Sequence, residues 1–476
     1  MKNTKVVLLL LTLSTGFLCS CFDDMDDNPT SAKDINDFIY RGMNIFYLYK
    51  YNVPELETNL SQTANYENYI SSYATPESFF ESLIYQRETV DRFSWLVNDY
   101  IALEQQLSGI KKSNGLEFNL YYEPGSATNI FAVIRLVLNN SEASYLGLER
   151  GQVVHAINGQ ELTINNYTAL FNRDSYTLHF ANYNDNGTET MDDDIILPNN
   201  ESAALTKVPY TENPIHKTNI IDVNGESLGY LAYNGFTSDF NNELINVFSE
   251  FQNNNIQHLV LDLRYNPGGS VNTAALLGSM VTGQFNGDVF TKLNYNANLQ
   301  ANNTTYNFTN TYNGTTLSPL NLNKVYVLTS KSSASASEMV INSLKSYINV
   351  VQIGNHTTGK PQASITLYDS PAYTNKTDIN PNHRYAMQPL VALTVNANDE
   401  QVPSSGLTPN IEITETPNNY GVLGDVNEPL LAAAIADILG TGRMAPNTFK
   451  VQKPILTRIN LSSFEDMMFL DPENLE

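Results

Sequence analysis

The period of the apolar positions changes along the chain, and each change predicts a different kind of structure. An apolar run, Val6 to Leu13, stands behind Lys2 and Lys5. From Ala32 to about Ser113 apolar residues recur at helical spacing: Ile35, Phe38, Ile39, Met43, Phe46 and Tyr47, then Phe79, Phe80, Leu83 and Ile84. Pro76-Glu77 opens a helix, with proline at the first helical position and an acid in the first turn. Between Gly115 and about Asn200 the runs become short and β-rich, as in Phe131 to Leu138, with turns at Glu123-Pro-Gly and Asn139-Asn-Ser. From about Lys207 to Gly440 strands (228–233, 258–264, 324–329) alternate with helices (241–252, 271–281, 338–347), the βαβ pattern of a mainly parallel sheet. The Asn/Thr-rich stretch Asn294 to Ser318 predicts a hairpin or exposed loop. The expectation is a multidomain α/β protein: an address segment (1–20), a tether and helical region (21–113), a β-rich domain (114–205), a βαβ domain (206–440) and a tail without a motif (441–476).

Composition narrows the function. The 476 residues carry 26 Lys+Arg against 50 Asp+Glu, a formal charge of −24, so the basic surface that nucleic-acid binding requires is missing. With 42% apolar and 16% charged residues, the chain can build a large core. Its two cysteines, Cys19 and Cys21, both lie at the end of the address segment, so neither a disulfide framework nor a cysteine metal site is available further on. Nothing in the sequence calls for a metal or an organic cofactor.

The run Val6 to Leu13 is shorter than the ~20 residues of a membrane span and reads as a secretion signal. Leu18-Cys19-Ser20-Cys21 resembles a bacterial lipobox, which makes Cys21 the first mature residue and the lipid attachment point. The acidic residues that follow, Asp23 to Asp27, resemble the surface-export signals of Bacteroidetes lipoproteins. A lipid-anchored protein of the bacterial cell envelope, at the periplasmic or surface face of the outer membrane, is the expectation.

The chemistry concentrates in the βαβ region. Ser332-Ser-Ala-Ser335-Ala-Ser-Glu338 follows a strand and opens a helix. Ser335 with Glu338 makes a capping box, and a helix N-terminus also offers free N–H groups to an oxyanion formed beside Ser335. A serine nucleophile needs a base. None of the six histidines sits in a zinc-binding pattern, and no Gly-x-Ser-x-Gly elbow occurs. Lys360, 25 residues beyond Ser335, is the remaining candidate; His356 ranks well below it for want of a partner. Gly354 to Lys360 also matches the first seven positions of a phosphate-binding loop, but Pro361 stands where Ser or Thr should and a strand pattern follows.

Gly147 to Gly159 resembles the Gly-Leu-x-x-Gly-Asp-x-Ile-x-x-Ile-Asn-Gly run of bacterial PDZ domains, with Gln152 in place of Asp. Gly115-Leu116-Glu117-Phe118 is similar to the loop that captures a peptide carboxylate in that fold, with Glu117 where Gly is usual. Leu261 to Gly269, Ser333 to Glu338 and Gly354 to Lys360 together resemble the three motifs of the C-terminal processing, or tail-specific, serine peptidases. The resemblance spans roughly residues 115–435. It implies a core like the ClpP/crotonase fold, Ser335 as nucleophile, Lys360 as base, and an oxyanion hole from the amides of Ala336 and of Gly268 or Gly269. Glu338 and Gln362 would support the pair. The family often has Gln four residues after the lysine, where this chain has Ser364. The implied substrates are unfolded or C-terminal segments of proteins. The other reading is a catalytically silent peptide-binding lipoprotein on the same fold.

Overall fold

A computed structural model describes residues 31–188, 192–441 and 468–470; the signal segment and Cys21 lie outside them. The chain opens with helix α1 (Ala32–Phe46), whose Ser31 cap accepts from the Asp34 amide while Asp34 returns the bond. Short helices Pro54–Glu57 and Tyr66–Ser71 lead to α2 (Pro76–Ser82), which has proline in its first turn and a Thr75 cap. Beyond this point the helical reading holds only for Tyr100–Leu107, capped by Asp99. Trp95–Val97 is a strand paired with Ala386–Gln388, and Ile110–Ser113 is a strand paired with Val208–Thr211. Both are too short to carry a period, and partners far along the chain decide their conformation.

The β-rich module follows as β1 (Leu116–Tyr122), β2 (Ile130–Val137), β3 (Val153–Ile157), β4 (Ser175–Asn184) and β5 (Ile195–Thr206), antiparallel and in that spatial order. Asn158 and Gly159 both take positive φ (52° and 74°), which makes the Asn-Gly pair the two-residue turn of a hairpin. One face packs on helix Tyr167–Phe171 and the other on Tyr420 of the next domain.

The two large sheets of the next domain use β6 (Ile215–Val223), β7 (Glu226–Tyr233), β8 (His258–Asp262), β9 (Gly269–Ser270), β10 (Val289–Tyr295) and β11 (Thr304–Asn307). Then come β12 (Lys324–Thr329), β13 (Asn349–Gly354), β14 (Gln362–Ser364), β15 (Leu390–Val395), β16 (Ile411–Glu412) and β17 (Met468–Phe469). The helices are α3 (Asn241–Asn253), α4 (Val271–Thr282), α5 (Ala336–Leu344) and α6 (Pro429–Ile438). Two six-stranded sheets result, in the orders β6-β7-β8-β12-β13-β16 and β9-β17-β14-β15-β10-β11. From β7 to β16 the first sheet is parallel.

Its central strands β7, β8 and β12 are covered on both faces, so their middles are apolar and buried. Leu259, Leu261, Val325 and Val327 point into the core with α4 and α5, while Val260, Tyr326 and Leu328 point to Leu430, Leu431 and Ala434 of α6. The larger core also takes in Ile35, Phe38, Ile39, Met43, Phe79, Phe80 and Leu83. The N-terminal helices are therefore part of the βαβ domain's core, not a separate body. Met468 and Leu470 join it too, which gives the tail a structured role that its sequence does not announce.

Candidate active site

Strand β12 ends at Thr329 and the loop 330–335 carries the chain into α5. This loop is fastened to the turn after β8. Ser333 Oγ donates to Leu263 O (2.7 Å), the Ala334 amide to Asn266 O (3.1 Å), and Ser337 Oγ to the same carbonyl (3.0 Å). Ser335 takes φ 62° and ψ −118°, a left-handed conformation that a residue with a side chain holds only under constraint. It is fully buried and forms the N-cap of α5, a sharp strand-to-helix corner. Ala336 is the first helical residue, so its amide is among those that the helix leaves without an internal acceptor.

Lys360 arrives on the loop between β13 and β14 and is 1% exposed. Its Nζ lies 5.0 Å from the centre of the Phe93 ring. Arg92 Nη2 donates to Gly359 O (2.6 Å) and Ser404 O (3.2 Å) from the other side of the loop. Gly359 is obligatory: φ is 87°, and a Cβ would lie 2.2 Å from Ser404 O. The Thr358 amide donates to Ser333 O (2.9 Å), tying the lysine loop to the serine loop.

Glu338 joins the two. Its Oε2 accepts from the amides of Ser335 (2.9 Å) and Lys360 (2.9 Å), so these nitrogens are no more than twice 2.9 Å apart. Its Oε1 accepts from the Gly359 amide (2.7 Å) and the Thr357 hydroxyl. Burial raises the Glu338 carboxyl above its ordinary pKa, while these four donors pull it back down. The capping motif visible in the sequence thus reaches further than a helix cap: one carboxylate positions the serine and the lysine segments together.

The turn after β8 stands on Asn266, whose Nδ2 donates to Tyr233 O (2.8 Å). The Gly268 amide donates to Asn266 Oδ1 (2.9 Å), so this candidate oxyanion donor is engaged. Gly269 has φ 138°, and a Cβ there would lie 2.4 Å from Phe236 O. Beside the turn is a cavity of about 170 Å³ lined by Phe236, Pro267, Gly268, Gly269, Arg135 and Phe469.

One supporting and one peptide-binding assignment need correction. Gln362 does not bond Lys360: its Nε2 donates to Tyr49 Oη (2.8 Å), pinning the helical region to β14. Side chains alternate along a strand, and Gln362 faces the helices. Phe118 is buried against Phe171 (ring centres 4.9 Å), so its side chain belongs to the β module's own core and is withdrawn from any peptide. Elsewhere in that loop, the Leu116 amide donates to Asn114 Oδ1 (3.2 Å), and Gly115 takes φ 91° against Ser141. Glu117 pairs with Arg135 (2.8 Å), and Arg135 Nη1 donates to Ser332 Oγ (2.9 Å). His356 faces Thr408 at the surface.

A buried ionic cluster secures the turn from behind. Arg264 contacts Asp262 (2.8 Å), Glu415 (2.9 Å) and Glu428 (2.6 Å). Arg150, from the β module, bonds Glu415 and Tyr265 Oη. Burial opposes ionisation of Glu415, but Arg150 and Arg264 outweigh it and hold the carboxyl down to about 2. Arg92, Phe93 and Glu415 carry no motif, and Arg150 sits at a variable position of the Gly147–Gly159 run; only a three-dimensional view reveals their role.

Comparison with known proteins agrees with this architecture. Residues 227–413 match the model of peptidase family S41, and residues 34–95 match the peptidase S41 N-terminal domain. The chain belongs to peptidase family S41. A candidate S41 protease of known crystal structure from Bacteroides fragilis is 27% identical and superposes with a TM-score of 0.68 over 85% of this chain and 97% of that one. The carboxyl-terminal-processing protease of Picosynechococcus sp. is 23% identical over 310 residues, 61% of this chain and 68% of that protein. The chloroplastic carboxyl-terminal-processing peptidase 3 of Arabidopsis thaliana is 25% identical over 234 residues, and the match spans 48% of this chain but only 42% of the relative. The S41 chain is thus a peptidase by family.

Proposed function

We propose that this S41 peptidase is a serine endopeptidase that cleaves unfolded or C-terminal protein segments with Ser335 as nucleophile and Lys360 as base. The observation that carries this reading is the Glu338 carboxylate, which holds the amides of both residues on one oxygen. The pair needs a neutral Lys360 amine, because an ammonium group has no lone pair to accept the serine proton. That amine takes the Ser335 hydroxyl proton as Oγ attacks the peptide carbonyl. The oxyanion is held by the Ala336 amide and by one from Gly268-Gly269. Collapse of the intermediate expels the amine, which receives the proton from Lys360. Water, deprotonated by the same lysine, then releases the acyl-enzyme.

The address segment supports export and lipid attachment at Cys21 to the bacterial cell envelope. The β module acts as a PDZ-like presenter of the substrate's C-terminal segment, with Gly115, Leu116 and Glu117 at its entrance. The silent-binder reading draws on the engaged Gly268 amide. A chain starting at Phe22, incubated with an unfolded protein and followed by mass spectrometry, separates the two. Cleavage that is lost in both Ser335→Ala and Lys360→Ala is the expected result. Intact substrate with the parent chain, or cleavage that survives Ser335→Ala, overturns the dyad.

A further inference from the structure

The turn that carries Gly268 and Gly269 has two edges. On one, the Phe236 amide donates to Gly268 O (2.9 Å) and the Ser270 amide to Phe236 O (2.8 Å). Successive residues of a strand turn their N–H and C=O groups to opposite sides, so those of Gly269 face the other edge. That edge is taken by the chain itself: β9 pairs in parallel with β17, Gly269 opposite Met468 and Ser270 opposite Phe469. On its far side β17 pairs in parallel with β14, Ser364 opposite Phe469. The Leu470 amide donates to Ser364 O (3.1 Å), and Ser364 Oγ donates to Met468 O (3.0 Å).

The segment Met468–Leu470 therefore lies between the oxyanion turn and the strand that follows Lys360. Its side chains alternate. Met468 and Leu470 enter the main core, while Phe469 lines the cavity beside Gly268 and Gly269. That cavity has a volume of about 170 Å³ and lies beside the paired segment. In this arrangement Gly268 donates to Asn266, and Gly269 stands opposite Met468 of β17.

We propose that the gap between β9 and β14 is a groove for an extended peptide strand with large apolar side chains, and that Met468–Leu470 fills it as an internal competitor. A strand that leaves this groove exposes backbone donors and acceptors on both edges, and another strand satisfies them best. The incoming chain must also supply apolar groups where Met468 and Leu470 were buried. This selects unfolded segments rich in Met, Phe and Leu over polar ones. The inference rests on the peptidase reading only where it calls the incoming chain a substrate.

Binding in a Ser335→Ala background tests the groove without turnover. The probe is a fluorescein-labelled peptide of residues 465–473, offered to the full chain and to a chain ending at Met467. An internal competitor lowers apparent affinity by the fraction of open groove, so the shortened chain should bind the probe at least about tenfold more tightly. Equal affinity for both, or no saturable binding by a folded shortened chain, overturns the proposal. Full-length Phe469→Asp covers the case in which the shortened chain does not fold. It should bind the probe more tightly and, with Ser335 restored, show a higher kcat/KM on unfolded protein, with a Tm lowered by the lost burial of Met468 and Leu470. If it is folded, binds no better and is no faster, Met468–Leu470 is a structural strand only. Labelling of Ser335 by a fluorophosphonate reports separately: absence of labelling removes the peptidase mechanism and leaves the binding result standing.

Discussion

Replacement of Glu338 by Gln asks whether one carboxylate really holds the site together. Gln has the same shape but presents one oxygen and one NH2 where Glu338 presents two oxygens to four donors. If the amide turns its NH2 to Ser335 and Lys360, two backbone amides lose their acceptor. If it turns to Thr357 and Gly359, the Thr357 hydroxyl can rotate to accept, and the Gly359 amide alone is orphaned. The second arrangement is the cheaper. It costs about 1–3 kcal/mol for the buried orphan, with a further ~1 kcal/mol because bonds to a charged acceptor are the stronger ones. Urea denaturation should therefore show a loss of about 2–4 kcal/mol. As a positioning residue Glu338 acts on the mutual placement of Ser335 and Lys360, so kcat should fall while KM stays near the parent value. Equal stability and equal kcat would refute the reasoning, since burial would then have kept Glu338 protonated, a state that Gln imitates.

Gly359→Ala places a Cβ 2.2 Å from Ser404 O at φ 87°, so a loss of more than about 2 kcal/mol in a denaturation curve is expected, together with most activity. Glu415, held at about 2 in the folded chain against an ordinary 4.5, contributes stability that is present above the ordinary value and lost as pH falls towards 2, about 3 kcal/mol in all. Urea curves at several pH values between about 6 and 3 should show a steeper decline for the parent than for Glu415→Gln. Arg264→Met leaves Asp262 and Glu428 buried without their cation and should cost about 3–5 kcal/mol, read as a fall in Tm.

The elements with strong local signals were legible in the sequence. Strand 324–329 is observed with those bounds, and helices 241–253 and 271–282 differ from expectation by one residue at their ends. Asn158-Gly159 forms the expected hairpin turn because few other pairs accept two positive φ values. Ser335, Glu338 and Lys360 could be picked out because a helix start, a capping acid and a Gly-Lys loop are local patterns. Trp95–Val97 and Met468–Phe469 could not, since a strand of two or three residues owes its existence to a partner hundreds of residues away. Gln362 misled because its nearness to Lys360 along the chain says nothing of the face it occupies. The Arg150–Glu415 contact joins two domains, and no local pattern encodes such a pairing.

The shared core of the N-terminal helices and the βαβ domain governs when this site can exist during synthesis. Arg92 and Phe93, which brace the lysine loop, leave the ribosome long before Gly359 and Lys360, and Ser404 emerges later still. Ile35 to Leu83 must wait for partners such as Met387 and Val391 before they are covered. Translation proceeds at about 5–20 residues per second, so these helices remain without their core for roughly 15–70 s, and closure over such a distance along the chain is slow in itself. A nascent chain thus carries the serine, and later the lysine, without the scaffold that aligns them. Assembly order keeps the hydrolase inert while its own unfolded segments, and those of neighbouring chains, are within reach.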